Sequence, residues 1–280
     1  MKKILITGAG SYIGTSFEQF LTSQYPNEYV VDTVDTMSDW QGKSFAGYDA
    51  VFHVAGLAHQ KETAENKDLY HTVNCELAVR VAQKAKEDGV GQFIFLSSMN
   101  IYGMESGIIT PDTVPQPKTY YGKSKWQAEQ ALAELISPAF SIAFLRPPMV
   151  YGKDCRGNFQ MVVKLVKKLP FFPRVHNQRT LIHIDNLCAF VKLCVDQGLS
   201  GVYFPQNAEA VDTYVMAQEI ASEMGKKLYF SYLAGLGVAV LRSFWPVAKK
   251  AFGSLVYKDT ETFDFTYCVT DMRESIRKSV

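Results

Sequence analysis

The apolar run Ile4-Leu5-Ile6-Thr7 passes directly into Gly8-Ala9-Gly10-Ser11-Tyr12-Ile13-Gly14, and a stretch with helical spacing follows. A strand that turns so soon into a helix cannot pair with its successor as a hairpin. It pairs in parallel across the helix instead. Strand-like runs at residues 4–7, 29–34, 50–55, 93–97 and 142–146 alternate with helical patterns at 12–21, 73–87 and 123–135. Continuous apolar strands separated by helices predict an α/β fold, a doubly wound parallel sheet with helices on both faces. Ligands of such sheets bind outside the carboxyl ends of the strands.

After Gly152 the rhythm loosens. A helix is expected at 158–168, broken by Leu169-Pro170-Phe171-Phe172-Pro173, with strands at 181–184 and 202–204 and a helix at 213–224 capped by Asp212 or Thr213. The expected organisation is a dinucleotide-binding domain over 1–152, to which 181–204 returns. A smaller C-terminal substrate lobe takes 153–180 and 205–280.

Charge and cysteine content exclude some classes. A net charge of +1 leaves no basic footprint for a nucleic acid partner. Cys75, Cys155, Cys188, Cys194 and Cys268 are scattered and lack a CxxC pair, which suits a reduced, cytoplasmic compartment and no metal site. The first apolar run is too short for a signal peptide. The most apolar later stretch, 233–247, is interrupted by Arg242 and Pro246 and falls short of the about 20 residues that span a bilayer. It reads as a buried or interface helix; docking on a membrane surface through it and Lys249-Lys250 is the alternative.

Gly8 and Gly10 allow a tight turn and close approach of backbone N–H groups to a pyrophosphate at the helix N-terminus, and Gly14 lets that helix pack closely on the sheet. The second strand ends near Asp32 or Asp35. An acidic side chain there accepts hydrogen bonds from an adenosine ribose and repels a 2′-phosphate, favouring NAD over NADP. Asp35 is the better placed, because 29–34 fill the strand. Asp39 and Trp40 either flank the adenine or form a surface turn around a packed indole.

Tyr121 and Lys125 stand four residues apart on a predicted helix, so phenol and ammonium share a face. A phenol titrates near about 10, and an adjacent cation favours its ionised form, which suits proton exchange with an alcohol oxygen.

Together, Thr7 to Gly14, Val51-Phe52-His53-Val54-Ala55-Gly56, Ser97-Ser98, Ile101-Tyr102-Gly103, Tyr121 with Lys125, and Leu145-Arg146-Pro147-Pro148-Met149-Val150-Tyr151-Gly152 resemble the extended short-chain dehydrogenase/reductase family. The likeness is to its nucleotide-sugar epimerase and ketoreductase branch, and it runs from Met1 to about Tyr203. It implies a Rossmann fold, NAD as cofactor with NADP as the alternative, a UDP-sugar substrate and a homodimer through helices 73–87 and 123–135. By the same resemblance Ser98 hydrogen-bonds the reacting oxygen, Tyr121 exchanges its proton, and Lys125 holds the nicotinamide ribose and lowers the tyrosine pKa. Ala55, Gly56, Asn74 and Pro147 line or support the cofactor, with Ser11, Tyr12 and Ile13 in its glycine turn. Ser11 stands where such chains usually carry the middle glycine of TGxxGxxG; Gly10 supplies the flexibility, or Ser11 caps the helix.

The residues after the serine discriminate among reactions. Related 4,6-dehydratases place an Asp-Glu pair there, and Met99-Asn100 cannot exchange protons. Two hydride transfers at C4 of a hexose survive. Arg146-Pro147-Pro148-Met149, Gly157-Asn158-Phe159 and Asn177-Gln178-Arg179 resemble ketoreductases of bacterial capsule and O-antigen pathways, which reduce UDP-linked 4-keto-6-deoxy-N-acetylhexosamines. The alternative is a UDP-glucose or UDP-N-acetylglucosamine 4-epimerase, which Asp35 favours. From another class, a non-catalytic NAD(P)-binding regulatory protein would typically lack the tyrosine or the lysine. Asn100 and Met149 are expected to face the sugar, and Asn158 and Arg179 to hold the diphosphate, with Lys153 and Arg156 as a positive rim or as solvated charges.

Overall fold

A computed structural model describes residues 1–58, 60–244, 252–260, 263 and 265–280. The chain forms two compact units. The first comprises Met1–Gly103, Val114–Pro147 and Leu187–Pro205; the second comprises Met104–Thr113, Pro148–Asn186 and Gln206–Val280. The division falls at Pro147 and not at Gly152. Met149–Tyr151 pairs in parallel with Leu181–His183, which holds both segments in the second unit.

The first unit is built on one parallel sheet of β1 (Lys2–Thr7), β2 (Tyr29–Val34), β3 (Ala50–His53), β4 (Gln92–Leu96), β5 (Ser141–Leu145) and β6 (Gly201–Tyr203), in the order β2-β1-β3-β4-β5-β6. The order reverses at β1, whose two neighbours are β2 and β3. This is the switch point at which a crevice opens beyond the strand ends. The register brings those ends level: Thr7 lies opposite both Val34 and His53, His53 opposite Phe95, and Leu96 opposite Leu145.

Alternation sends the strand side chains into two layers. Leu5, Val51, Phe93, Phe95, Ile142 and Phe144 pack with α3 (Leu77–Glu87) and α4 (Tyr120–Ala133). On the other face Phe52 meets Phe17 of α1 (Tyr12–Gln24) edge to face, ring centroids 5.3 Å apart. All four of Phe17, Phe52, Phe93 and Phe95 are completely buried. Each such burial contributes roughly 1.5–3 kcal/mol, enough to explain why these runs hold as strands. The short α2 (Lys67–His71) runs into α3 through a π-helical turn, Thr72–Glu76.

The second unit has a four-stranded sheet ordered Val211–Asp212, Gln178–Arg179, Leu255–Tyr257, Gly107–Ile109, and a parallel pair of Phe171–Pro173 with Tyr229–Ser231. Its helices are α5 (Asn158–Lys168), the start of α6 (Ile184–Gln197), α7 (Thr213–Glu223), α8 (Tyr232–Phe244) and α9 (Met272–Ser279). Asp212 occupies the N-cap of α7, and Asp271 caps α9 by accepting from the Glu274 N–H at 2.8 Å. The 233–247 stretch begins as a helix whose first turns are open, with Leu233 81% and Leu236 66% exposed, so those two side chains are not buried within this chain. Residues 245–247 of that stretch, Lys249 and Lys250 lie outside the described residues. Among the described residues no helix is long and apolar enough to cross a membrane.

At the end of β3 the fully buried His53 shares a 2.7 Å hydrogen bond through Nδ1 with the Thr7 hydroxyl and stacks against Phe93 and Phe95. Burial first, and the Lys125 charge second, press its pKa down to about 3. The imidazole is neutral in the folded protein and protonates in the unfolded chain near about 6.5. The stability it supports is present above that value and is lost as pH falls toward 3, at roughly 1.4 kcal/mol per pH unit in between. Urea midpoints measured across this window are expected to fall more steeply for the wild type than for His53→Gln.

Candidate active site

Each strand end contributes one part of the crevice. After β1 the chain turns through Gly8 (φ +98°) and Gly10 (φ +74°), and the Gly8 and Ala9 N–H groups donate to the Val34 carbonyl at 3.0 and 3.2 Å. A Cβ on Gly8 would lie 2.8 Å from the Ala55 nitrogen, so the β1 turn and the β3 turn touch backbone to backbone. Ser11 adopts φ −70°, ψ 146° and caps α1, its Oγ accepting from the Gly14 N–H at 3.2 Å. The departure from the three-glycine pattern is thereby accounted for: Gly10 takes the left-handed conformation, and position 11 needs only a cap. Tyr12 and Ile13 open the first turn of α1. A Cβ on the buried Gly14 would meet Ser11 Oγ at 2.7 Å and the Ile6 and Val54 side chains at 3.1 Å.

Asp35 follows β2 and is exposed, its Oδ1 accepting from the Met37 N–H at 2.9 Å. Asp32 is also exposed and accepts from the Tyr48 hydroxyl at 2.8 Å. The open choice at Trp40 resolves toward packing. Its indole is 5% exposed and lies beside Phe45, so it belongs to the core and not to an adenine contact, while Asp39 stays exposed.

Beyond β3 the chain passes through Ala55 and Gly56 to Leu57. The side chain of Asn74 holds this segment: Oδ1 accepts from the Leu57 N–H at 2.6 Å, and Nδ2 donates to the Leu57 carbonyl at 3.1 Å and to Ser124 Oγ at 3.0 Å. Asn74 is fully buried and sits within the π-helical turn, whose extra residue re-aims it. A Cβ on Gly56 would stand 3.0 Å from Asn74 Oδ1 and 3.4 Å from Lys125 Nζ.

Tyr121, Lys125 and Glu129 follow one another at four-residue intervals along one face of α4. Two devices set the start of that helix. Thr119 caps it, Oγ1 accepting from the Gly122 N–H at 3.0 Å, and the Glu62 carboxylate accepts from the Tyr120 and Tyr121 N–H groups at 2.8 and 3.0 Å. An anion at a helix N-terminus is favourable. The buried Lys125 ammonium donates to the Leu96 carbonyl at 2.8 Å and lies 4.6 Å from the centre of the Phe95 ring. Burial lowers its pKa to about 8, with Glu129 opposing. Ser98 accepts from the Asn100 N–H at 3.2 Å, and its hydroxyl favours the ionised form of the Tyr121 phenol. The expected depression of the Tyr121 pKa is reversed. Burial raises it, the Ser98 hydroxyl opposes, and the ammonium of Lys125 is directed at a carbonyl. Pro147, buried after β5, accepts the Met99 N–H at 2.9 Å and so ties the serine turn to the neighbouring strand.

The structure thus brings Gly8, Gly10, Ala55, Gly56, Asn74, Ser98, Tyr121, Lys125 and Pro147 together within the first unit. Asn100 is exposed beside them. Met149, Asn158 and Arg179 belong to the second unit: Asn158 opens α5, and Arg179 donates to the Gly253 carbonyl at 2.9 Å. Sequence reasoning missed Glu62, and it missed the buried pair of Glu129 with Arg146. Arg146 Nη2 lies 2.6 Å from Glu129 Oε2, Nε reaches both carboxylate oxygens, and Nη1 donates to the Tyr102 hydroxyl at 2.7 Å. The i, i+4 spacing of Glu129 from Lys125 was the available signal. The residues present fit a dinucleotide: a turn with glycine at positions 8 and 10, the N–H groups at the start of α1, and a carboxylate after β2.

A profile of the NAD dependent epimerase/dehydratase family matches residues 4–203. The chain is 30% identical over 253 residues to UDP-glucose 4-epimerase of Vibrio cholerae, covering 80% of this chain and 76% of that protein. It is 25% identical over 244 residues to the N-acetyl-alpha-D-glucosaminyl-diphospho-ditrans,octacis-undecaprenol 4-epimerase of Escherichia coli O157:H7, covering 80% and 73%. The crystal structure of UDP-glucuronic acid 4-epimerase from Bacillus cereus in complex with NAD shares the fold, with a TM-score of 0.75, 17% identity, and 99% and 95% of the two chains covered.

Two outcomes are expected from these contacts. Gly8→Ala, which forces a Cβ into the Ala55 backbone at a left-handed φ, should abolish NAD(H) binding in calorimetry. Glu129→Ala removes the carboxylate that faces a buried guanidinium and should cost about 3–5 kcal/mol in denaturant unfolding, whereas the apolar double replacement Glu129→Leu with Arg146→Met should recover most of that loss.

Proposed function

Because the chain belongs to the NAD-dependent epimerase/dehydratase family and is similar to a UDP-glucose 4-epimerase, we propose that it transfers hydride at C4 of a UDP-linked hexose. The observation that carries this reading is the convergence of Ser98, Tyr121 and Lys125 at the ends of β4 and α4. A nicotinamide cofactor in the crevice supplies hydride exchange with carbon. Gly8, Gly10 and the first turn of α1 would hold its pyrophosphate, Asp35 its adenosine ribose, and Lys125 its other ribose. The Ser98 hydroxyl donates to the C4 oxygen and orients it toward the phenol.

The first reading is reduction of a UDP-4-keto-6-deoxy-N-acetylhexosamine. Reduction of a ketone needs a proton donor at the oxygen, which a phenol, titrating near about 10, supplies at neutral pH. The second reading is 4-epimerisation of UDP-glucose or UDP-N-acetylglucosamine, favoured by the Vibrio cholerae relative and by the carboxylate of Asp35. In either, Asn158 and Arg179 are the proposed ligands of the diphosphate. Burial lowers the Arg179 pKa but leaves it cationic, as a diphosphate ligand requires.

Tyr121→Phe should lower kcat by roughly 10²–10⁴ while leaving NAD(H) affinity unchanged. The wild type is to be assayed with UDP-glucose, UDP-N-acetylglucosamine and a UDP-4-keto-6-deoxy sugar, with and without added NAD(P)H. Turnover of the keto sugar that requires added NAD(P)H supports the reductase. Interconversion of a UDP-hexose without it supports the epimerase. Absence of turnover with any UDP-sugar or keto sugar would count against the enzyme reading.

A further inference from the structure

Charge is unevenly divided along this chain. Residues 155–184 and 224–258 hold twelve of its 29 Lys and Arg and none of its 28 Asp and Glu. The rest carries 17 basic against 28 acidic residues. A protein of net charge +1 is thus a strongly basic part joined to an acidic remainder. The fold gathers the basic stretches in the second unit, where Phe171–Pro173 pairs with Tyr229–Ser231 and Gln178–Arg179 meets Leu255–Tyr257.

The basic stretches also carry exposed apolar side chains. Helix α8 has one inward position in its first turns: a Cβ on Gly235 would meet the Arg174 carbonyl at 2.2 Å, so this face lies directly on the neighbouring chain. The outward face presents Tyr232 at 61%, Leu233 at 81% and Leu236 at 66% exposure. Beside it, Phe171 at 60% and Tyr229 at 48% exposure lie against each other as tilted rings, centroids 5.7 Å apart, on the strand pair against which α8 packs. An exposed helix face of this composition is the opposite of what solvent selects.

Cations rim these rings. The Arg174 guanidinium lies 4.7 Å from the centre of the Tyr232 ring, and the Lys227 ammonium 5.2 Å from that of Tyr229. Lys167 and Lys168 are exposed at the end of α5, where Lys226 donates to the Val166, Lys167 and Leu169 carbonyls. Lys226 is thereby committed to capping, and Lys167, Lys168 and Lys227 are directed to solvent. Aromatic and leucine side chains within a ring of lysine and arginine, with no carboxylate in either stretch, match a surface of acyl chains beneath anionic headgroups.

We propose that α8 and the Phe171–Tyr229 strand pair dock this protein on an anionic lipid bilayer. The apolar side chains Leu233, Leu236, Tyr232 and Phe171 enter the headgroup boundary, and Lys167, Lys168 and Lys227 contact lipid phosphates. The inference is independent of the C4 chemistry, since none of these residues belongs to the cofactor crevice.

Vesicle flotation of the full-length protein tests it. The wild type should float with equimolar phosphatidylglycerol and phosphatidylcholine vesicles, should not float with phosphatidylcholine alone, and should be released by high salt. Leu233→Glu with Leu236→Glu, and separately Lys167→Glu with Lys168→Glu and Lys227→Glu, should each weaken binding at least about tenfold. These side chains are exposed, and unchanged thermal unfolding and NAD(H) binding would show that the variants remain folded. Three results overturn the proposal: no flotation with anionic vesicles; flotation that survives the leucine substitutions; or a homodimer in light scattering that the leucine substitutions dissociate, which would make the face a contact between two copies.

Discussion

The interaction on which the site depends is the buried contact of Arg146 with Glu129. A guanidinium and a carboxylate removed from water are stable only when their hydrogen-bonding groups are satisfied, and this pair satisfies them with a bidentate contact and the Tyr102 hydroxyl. Tyr102, Trp126 and Phe204 place their rings 5.5 to 5.8 Å from the guanidinium carbon, completing its enclosure. The pair joins the end of β5 to the third member of the Tyr121, Lys125, Glu129 stripe. A helix held at that point cannot slide or rotate, and the phenol and ammonium one and two turns earlier inherit its position.

The carboxylate also acts along the stripe, favouring the charged form of Lys125 against burial. Lys125 in turn touches the sheet through the Leu96 carbonyl and helps keep His53 neutral. At the other end of α4, Glu62 and Thr119 fix the first turn, and Asn74 ties the same helix to the β3 turn through Ser124. Each of these polar side chains supplies a backbone or hydroxyl partner that packing alone would leave unmet. The geometry of the candidate site is thus a by-product of satisfying buried polar groups where several strands end together.

The two units divide labour by charge as well as by fold. The first carries the sheet and its crevice, while the acid-free stretches are gathered in the second. A diphosphate ligand and an anionic surface make the same electrostatic demand on a protein. In the proposed readings Arg179 would meet it as a partly buried guanidinium for a single bound group, and the solvent-facing lysines near α5 as exposed ammonium groups for a diffuse field.

Much of the fold was legible beforehand because its signals are local. Strand, glycine turn and helix follow one another within fifteen residues, and parallel strands buried on both faces read as unbroken apolar runs. The Tyr121–Lys125 spacing and the serine after β4 are equally local. What local pattern could not convey was the partner of each buried group. Nothing near Trp40 announces that Phe45 and the helix layer will enclose it. Nothing near Glu129 announces an arginine seventeen residues later, nor does Tyr121 reveal that burial will raise its pKa while Lys125 turns to a carbonyl. The apolar composition of α8 was plain from the residues, but its outward direction was not, because exposure is decided by what else packs there. The order of residues determined which elements form and which chemical groups each carries. Tertiary structure decided which groups meet, which are desolvated and what charge they hold, because burial and pairing arise between segments distant in the chain.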